Sequence, residues 1–228
     1  MNLPGGSRHF QEEFSALRHQ LLEMGAMAEE LLRVAVEALM EGNMEKADSV
    51  ILADRELDAM EVEVDEAGIH LLALHQPFAR DLRVITMILR IANDLERVGD
   101  HAVNIAETVH HLGSAPSLLT RVPQLEEMAR ISREMLTQAL DSFVRGDSVV
   151  AREVCRRDDR VDSLHESGFR SLLKHMADDP QLVGRAMSLI LVGRNLERVA
   201  DLATNVAEDV VYMVEGRSIK HGAGRREP

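Results

Sequence analysis

Leu95-Glu96-Arg97-Val98-Gly99-Asp100 and, 101 residues further on, Leu196-Glu197-Arg198-Val199-Ala200-Asp201 are the stretches that decide the fold. The match continues to Asn104 with Asn205 and Glu107 with Glu208. Upstream, at an offset of 104, Gly42 corresponds to Gly146, Asp54 to Asp158 and Asp58 to Asp162. A near-constant offset over apolar and polar positions alike marks an internal duplication, with the small difference absorbed in turns.

Each copy carries the helical period. Val50, Ala53, Leu57, Met60, Val64, Ala67, Leu71 and Leu74 alternate by three and four, so this segment is expected to be an amphipathic helix. The stripe recurs at Ile88, Ala92, Leu95, Gly99, Ala102 and Ala106, and again at Leu189, Gly193, Leu196, Ala200, Ala203 and Ala207, where small residues permit close helix approach. Gly42 and Gly146 stand where a helix closes, each followed by an N-capping residue, Asn43 and Asp147. Pro77 and Pro180 suit first helical turns, the latter after a capping Asp179. The expected elements are six long helices over 8–41, 44–75, 77–111, 121–145, 148–177 and 180–215. The fold class is therefore all-α: two tandem, sequence-related three-helix bundles, 1–115 and 116–216, with a flexible tail over 217–228.

Composition agrees and excludes alternatives. With 228 residues and 45% apolar content the chain can build a core, and six aromatics among abundant Leu, Ala, Val, Met, Glu and Arg argue against a sandwich or barrel. A formal net charge of -13 repels nucleic-acid phosphates and anionic membranes, and few aromatics leave no stacking platform for single strands. No nucleic-acid partner is expected. The lone Cys155 forms no internal disulfide, which fits a reducing compartment. The apolar runs fall well short of a membrane span, and the first ten residues lack an apolar core, so a cytoplasmic protein is expected.

Besides the core, the copies share an acid-x-x-x-Asp pair on two helices each: Asp54/Asp58, Glu96/Asp100, Asp158/Asp162 and Glu197/Asp201. Like charges at i and i+4 share a helix face and repel by a few tenths of a kcal/mol. A count along the chain shows that they also come level. About 20 residues separate the Asp54/Asp58 pair from the turn at Gln76-Pro77 and about 21 separate that turn from Glu96/Asp100, roughly 30 Å along each helix. In the second copy both counts are about 19 around Asp179-Pro180. Four carboxylates at one height in each bundle point to a multinuclear metal cluster, and all-oxygen ligation selects hard or borderline cations such as Mg, Mn, Fe or Ca, with Zn a further candidate. The competing reading is solvated acidic faces neutralised by Arg55, Arg97, Arg160 and Arg198.

Other motifs carry less. Glu107-Thr108-Val109-His110 is the Glu-x-x-His string of di-iron proteins, but the equivalent of His110 is Val211, which disfavours an oxidase. His165 aligns with Glu61, one turn beyond each Asp pair, and either is an optional extra ligand. The methionines read as core filler, and neither a phosphate-cradling loop nor a nucleophile elbow is present.

Gln76-Pro77-Phe78-Ala79-Arg80-Asp81-Leu82-Arg83, followed by Leu95 to Glu107, resembles the PhoU family of bacterial phosphate-transport accessory and regulatory proteins. Asp54-Arg55-Glu56-Leu57-Asp58, Asp158-Asp159-Arg160-Val161-Asp162 and Leu196-Glu197-Arg198-Val199-Ala200-Asp201 fill the family's remaining acidic motifs. The resemblance covers nearly the whole chain. It implies metal clusters in some members, held here by Asp54, Asp58, Glu96 and Asp100 in one site and Asp158, Asp162, Glu197 and Asp201 in the other. It further implies a non-enzymatic negative regulator of phosphate uptake and the phosphate starvation response. Such a regulator is an adaptor between the ATPase side of the phosphate ABC transporter and the phosphate-sensing membrane histidine kinase. It reaches the membrane only through these partners and self-associates as a homodimer. One departure is that Asp179-Pro180-Gln181-Leu182-Val183-Gly184-Arg185 does not repeat the Gln-Pro-x-Ala-x-Asp-Leu-Arg string, so the halves are expected to meet different partners. A carboxylate-cluster metal-dependent enzyme or metal store is the alternative from another class, and a metal-free structural bundle is a third.

Overall fold

A computed structural model describes residues 4–112 and 119–220. Six long helices dominate it: α1 (Pro4–Glu41), α2 (Met44–His75), α3 (Ala79–Leu112), α4 (Pro123–Arg145), α5 (Ser148–Asp178) and α6 (Val183–Glu215). Single 3-10 turns, Leu119–Arg121 and Pro180–Leu182, precede α4 and α6. The chain punctuation acts as the sequence predicts. Gly42 and Gly146 adopt φ of 65° and 63°, conformations that L side chains resist. The Asn43 side chain accepts from the Lys46 backbone N–H, and Asp147 accepts from those of Val149 and Val150, satisfying donors that a helix start leaves unpaired.

Several expected boundaries move: α1 starts at Pro4 and not at residue 8, and α4 at Pro123 and not at 121. Helix α3 starts at Ala79 and not at Pro77, because Gln76 and Ala79 both take positive φ, 46° and 48°, and hold Pro77 and Phe78 in a tight link outside the helix. In the second bundle Asp179 caps the 3-10 turn through Gln181, and α6 begins only after it. The expected 115/116 boundary between bundles lies outside the described residues, as does the tail beyond Lys220.

Within each bundle the three helices pack against one another in an antiparallel up-down-up order. Contacts between opposite ends fix this: His75 at the end of α2 meets Glu13 of α1 at 2.7 Å, and His110 near the end of α3 meets Asp48 of α2 at 3.0 Å. In the second bundle Arg152 of α5 reaches Glu215 of α6 at 2.7 Å. The bundles join along α3 and α6, with α1 touching α4 over a shorter stretch. Every expected stripe residue of α3 and α6 is buried, and one apolar cluster runs through both bundles. Helix α2 is less cleanly amphipathic than its seam suggests, since Leu52, Val62, Ile69 and the expected seam residue Leu74 all face solvent.

Candidate functional site

Asp54 and Asp58 stand on α2, and Glu96 and Asp100 on α3. The long hairpin brings them level. A Cβ on Gly99 would stand only 2.6 Å from Asp54 Oδ1, so the Asp54 carboxylate lies directly against the backbone of α3 beside Asp100. Burial pushes the Asp54 carboxyl up to about 6, helped by the charges of Asp58 and Asp100. Glu96 is likewise raised, by burial first and then by Asp100, Asp58, Glu61 and Asp54. All four predicted residues, with Glu61 beside them, therefore share one field.

The second copy repeats the arrangement from α5 and α6. Burial pushes Asp158 up to about 6, assisted by Asp201, Asp162, Asp159 and Glu197, and Asp162 is raised by burial, Asp201 and Asp159. Asp54 Oδ1 and Asp158 Oδ1 are equivalent atoms, and each is buried without a hydrogen-bond partner. An orphaned buried carboxylate oxygen is costly and rare. Its recurrence at duplicated positions fits a donor set for a cation. Among the described residues, however, no group of three or more His, Cys, Asp or Glu side chains is closed to metal-ligand geometry. The carboxylates stand level but apart, as like charges do.

The arginines offered as neutralising partners mostly turn elsewhere. Arg97 meets Asp94 at 3.2 Å, Arg160 meets Glu127 at 2.7 Å, and only Arg198 reaches a quartet member, Asp201, at 2.9 Å. His165 Nδ1 lies 3.6 Å from Glu197, so the position aligned with Glu61 does border the second quartet. His110 is engaged with Asp48. Cys155, one turn before Asp158, is half-buried, and desolvation pushes its thiol up to about 11.

Asp209 of α6 escaped the sequence reading. It is 1% exposed and contacts Arg90 of α3 at 3.3 Å and Lys220 at 2.9 Å. Neither contact has hydrogen-bond geometry, so charge compensates this carboxylate without directed bonding. The available signal was a lone acid in the buried Leu202, Val206, Met213 stripe.

A model of the PhoU domain matches this chain twice, over residues 21–109 and 125–210. The chain is 39% identical over 210 residues to a phosphate-specific transport system accessory protein PhoU homolog of Aquifex aeolicus, covering 92% of this chain and 95% of that protein. It is 35% identical over 218 residues to the Pseudomonas putida homolog, covering 94% and 84%. Crystal structures of PhoU from Pseudomonas aeruginosa and of the phosphate transport system regulatory protein PhoU from Streptococcus pneumoniae superpose with TM-scores of 0.85 and 0.86. Their identities are 33% and 26%, over 91% and 92% of this chain and 100% and 99% of theirs. With both halves matched and relatives aligned almost end to end, the chain belongs to the PhoU family.

Proposed function

We propose that this protein is a regulatory accessory of phosphate transport and not an enzyme. In this role it is a metal-binding helical adaptor in the cytoplasm that restrains phosphate uptake and the phosphate starvation response. It works as a homodimer, joining the ATPase side of a phosphate ABC transporter to a phosphate-sensing histidine kinase. The relatives named as phosphate-specific transport system accessory proteins support the transport role. Among the described residues no helix is long and apolar enough to cross a membrane, so the chain would reach the transporter by docking.

The observation that carries the metal-binding part is the pair of equivalent orphaned oxygens on Asp54 and Asp158, each within a level set of four carboxylates. Asp54, Asp58, Glu96 and Asp100 would hold cations at one site, and Asp158, Asp162, Glu197 and Asp201 at the other. Bound cations would neutralise the repulsion in each quartet and fix the α2/α3 and α5/α6 hairpins in register. The helices themselves supply long rigid faces for partners, and no reacting group is required of them.

Affinity capture of the tagged protein from cells grown at high and low phosphate tests the adaptor role. Transporter ATPase and histidine kinase are expected to co-purify in at least one condition. Recovery of neither in both conditions would overturn it.

A further inference from the structure

The duplication relates α3 to α6, which run antiparallel across the seam between the bundles: Arg90 meets Asp209 at 3.3 Å, and His101 meets Asn195 at 2.9 Å. Gly99 and its counterpart Ala200 lie near the middle of this seam, so its two ends should be alike. They are not. At one end stand Arg90, Asp94 and Asp209; at the other their counterparts are Leu191, Asn195 and Thr108, all uncharged. Duplication therefore does not account for these three charges.

The charged end opens into a trough of about 540 Å³ whose walls include Arg90 and Arg97 of α3, Arg198, Thr204 and Asn205 of α6, and Lys220 beyond it. Asp201 and Glu208 also border it. Four cations thus meet four acids, counting Asp94 and Asp209: Asp201 and Glu208 share the mouth with the cations, and the other two acids lie deeper. Asp209 and Asp94 lie beneath, at 1% and 9% exposure, whereas the side chains of Arg90, Arg97 and Arg198 are about half exposed, at 51%, 49% and 49%. At the mouth the three guanidinium groups outnumber the two carboxylates, Asp201 and Glu208, and the buried carboxylates are farther from an incoming ion and already shared, so the field it meets is positive. Asp209 alone serves both Arg90 and Lys220.

Donors remain for a ligand. Arg97 and Arg198 each hydrogen-bond an acid through one nitrogen, Nη1, and a guanidinium carries several further N–H groups in a planar fork suited to tetrahedral oxyanions. Thr204 Oγ1 is buried without a hydrogen-bond partner among the described residues. Cations from two helices of different bundles and a third segment converge on a pocket with an unused hydroxyl, in a chain whose net charge is -13.

We propose that this trough is an oxyanion site, and that its ligand is inorganic phosphate. The oxyanion class follows from the trough itself; phosphate as the particular ion rests on the proposed role in phosphate transport. Because the site bridges α3 and α6, occupancy would tie the angle between the two bundles to phosphate concentration. The ligand draws the guanidinium groups of both bundles onto one centre.

The test is isothermal titration calorimetry of EDTA-treated protein with inorganic phosphate at low ionic strength, with chloride matched in ionic strength as the reference and sulfate as a second oxyanion. Saturable phosphate binding is expected, weakened about tenfold, about 1.4 kcal/mol, in Arg97→Gln and in Lys220→Gln. Arg145→Gln, an exposed arginine outside the trough, should bind as the parent does. Lys220→Gln leaves Asp209 its Arg90 partner, so it keeps the test open if an α3 variant fails to fold. The proposal is overturned by absence of saturable binding, by parental affinity in both trough variants, or by binding that appears only after metal is added. Sulfate bound as tightly as phosphate would retain the oxyanion site and overturn the assignment of phosphate. Failure here leaves the adaptor role to its own capture experiment.

Discussion

The Asp54 carboxylate of α2 and Gly99 of α3 are in direct apposition: a Cβ on Gly99 would stand 2.6 Å from Asp54 Oδ1 and 2.4 Å from Leu57 Cδ2. In the second bundle the positions of Gly99 and Leu57 are taken by Ala200 and Val161, both buried. The methyl added on one helix is matched by a shorter side chain on the other, so each pair fills a similar volume. Gly99→Ala alone should cost about 1–3 kcal/mol by overpacking. Adding Leu57→Val should recover most of that loss, since the double variant carries the second bundle's own pair. Denaturant unfolding of both single variants and the double variant checks this. Strictly additive losses would show that the two sites do not share one packing constraint.

Metal content separates the two acidic readings. Protein purified without chelator should carry a divalent or trivalent cation. Replacing Asp54, Asp58, Glu96 and Asp100 by alanine should remove about half of it, as should the same change at Asp158, Asp162, Glu197 and Asp201, because the bundles supply independent donor sets. Elemental analysis of the three preparations decides. Equal metal in all three would return the quartets to the role of solvated acidic faces.

Stability of the metal-free protein should fall with rising pH through the range in which Asp54 and Asp158 ionise. Both carboxyls are raised from 3.8 to about 6 in the fold. A raised carboxyl contributes stability that is full below its unfolded value and is lost as pH climbs through its folded value, here between about pH 4 and pH 6. Glu13, Glu37 and Glu134 are lowered by their partners and act oppositely, losing stability as pH falls. The readout is therefore the difference between the parent and Asp54→Asn/Asp158→Asn, followed by urea unfolding in EDTA. Parallel pH profiles for the two proteins would refute the assignment.

Cys155 should be a poor nucleophile in the folded state. Burial first, then the nearby charges of Glu208 and Asp158, push its thiol up to about 11 and leave little thiolate near neutrality. Reaction with a disulfide reagent at pH 7.5 should be slow in buffer and fast in urea. Comparable rates in both would contradict this burial.

Asp147→Ala should destabilise the protein by about 1 kcal/mol, since the side chain accepts from two backbone donors, Val149 and Val150, at the start of α5. For a chain of this size that corresponds to a drop of about 2–4 °C in Tm, measurable by calorimetry. An unchanged Tm would mean that water replaces the cap without loss.

The six helices, their duplication and the height of the acidic pairs were legible in the sequence. Each depends on local rules: the helical period, the positive φ at Gly42 and Gly146, the caps at Asn43 and Asp147, and the fixed rise per residue that carries Asp54 and Glu96 equal distances from one turn. The tertiary structure alone decided how the bundles meet, because the approach of α3 to α6 depends on side chains distant in sequence. The chain order gives no hint that Arg90 and Lys220 converge on Asp209, or that Ser132 of α4 donates to the Leu196 carbonyl of α6. Local periodicity fixes where a residue stands on its own helix. What it touches on another is set by packing, which no single stretch of sequence contains.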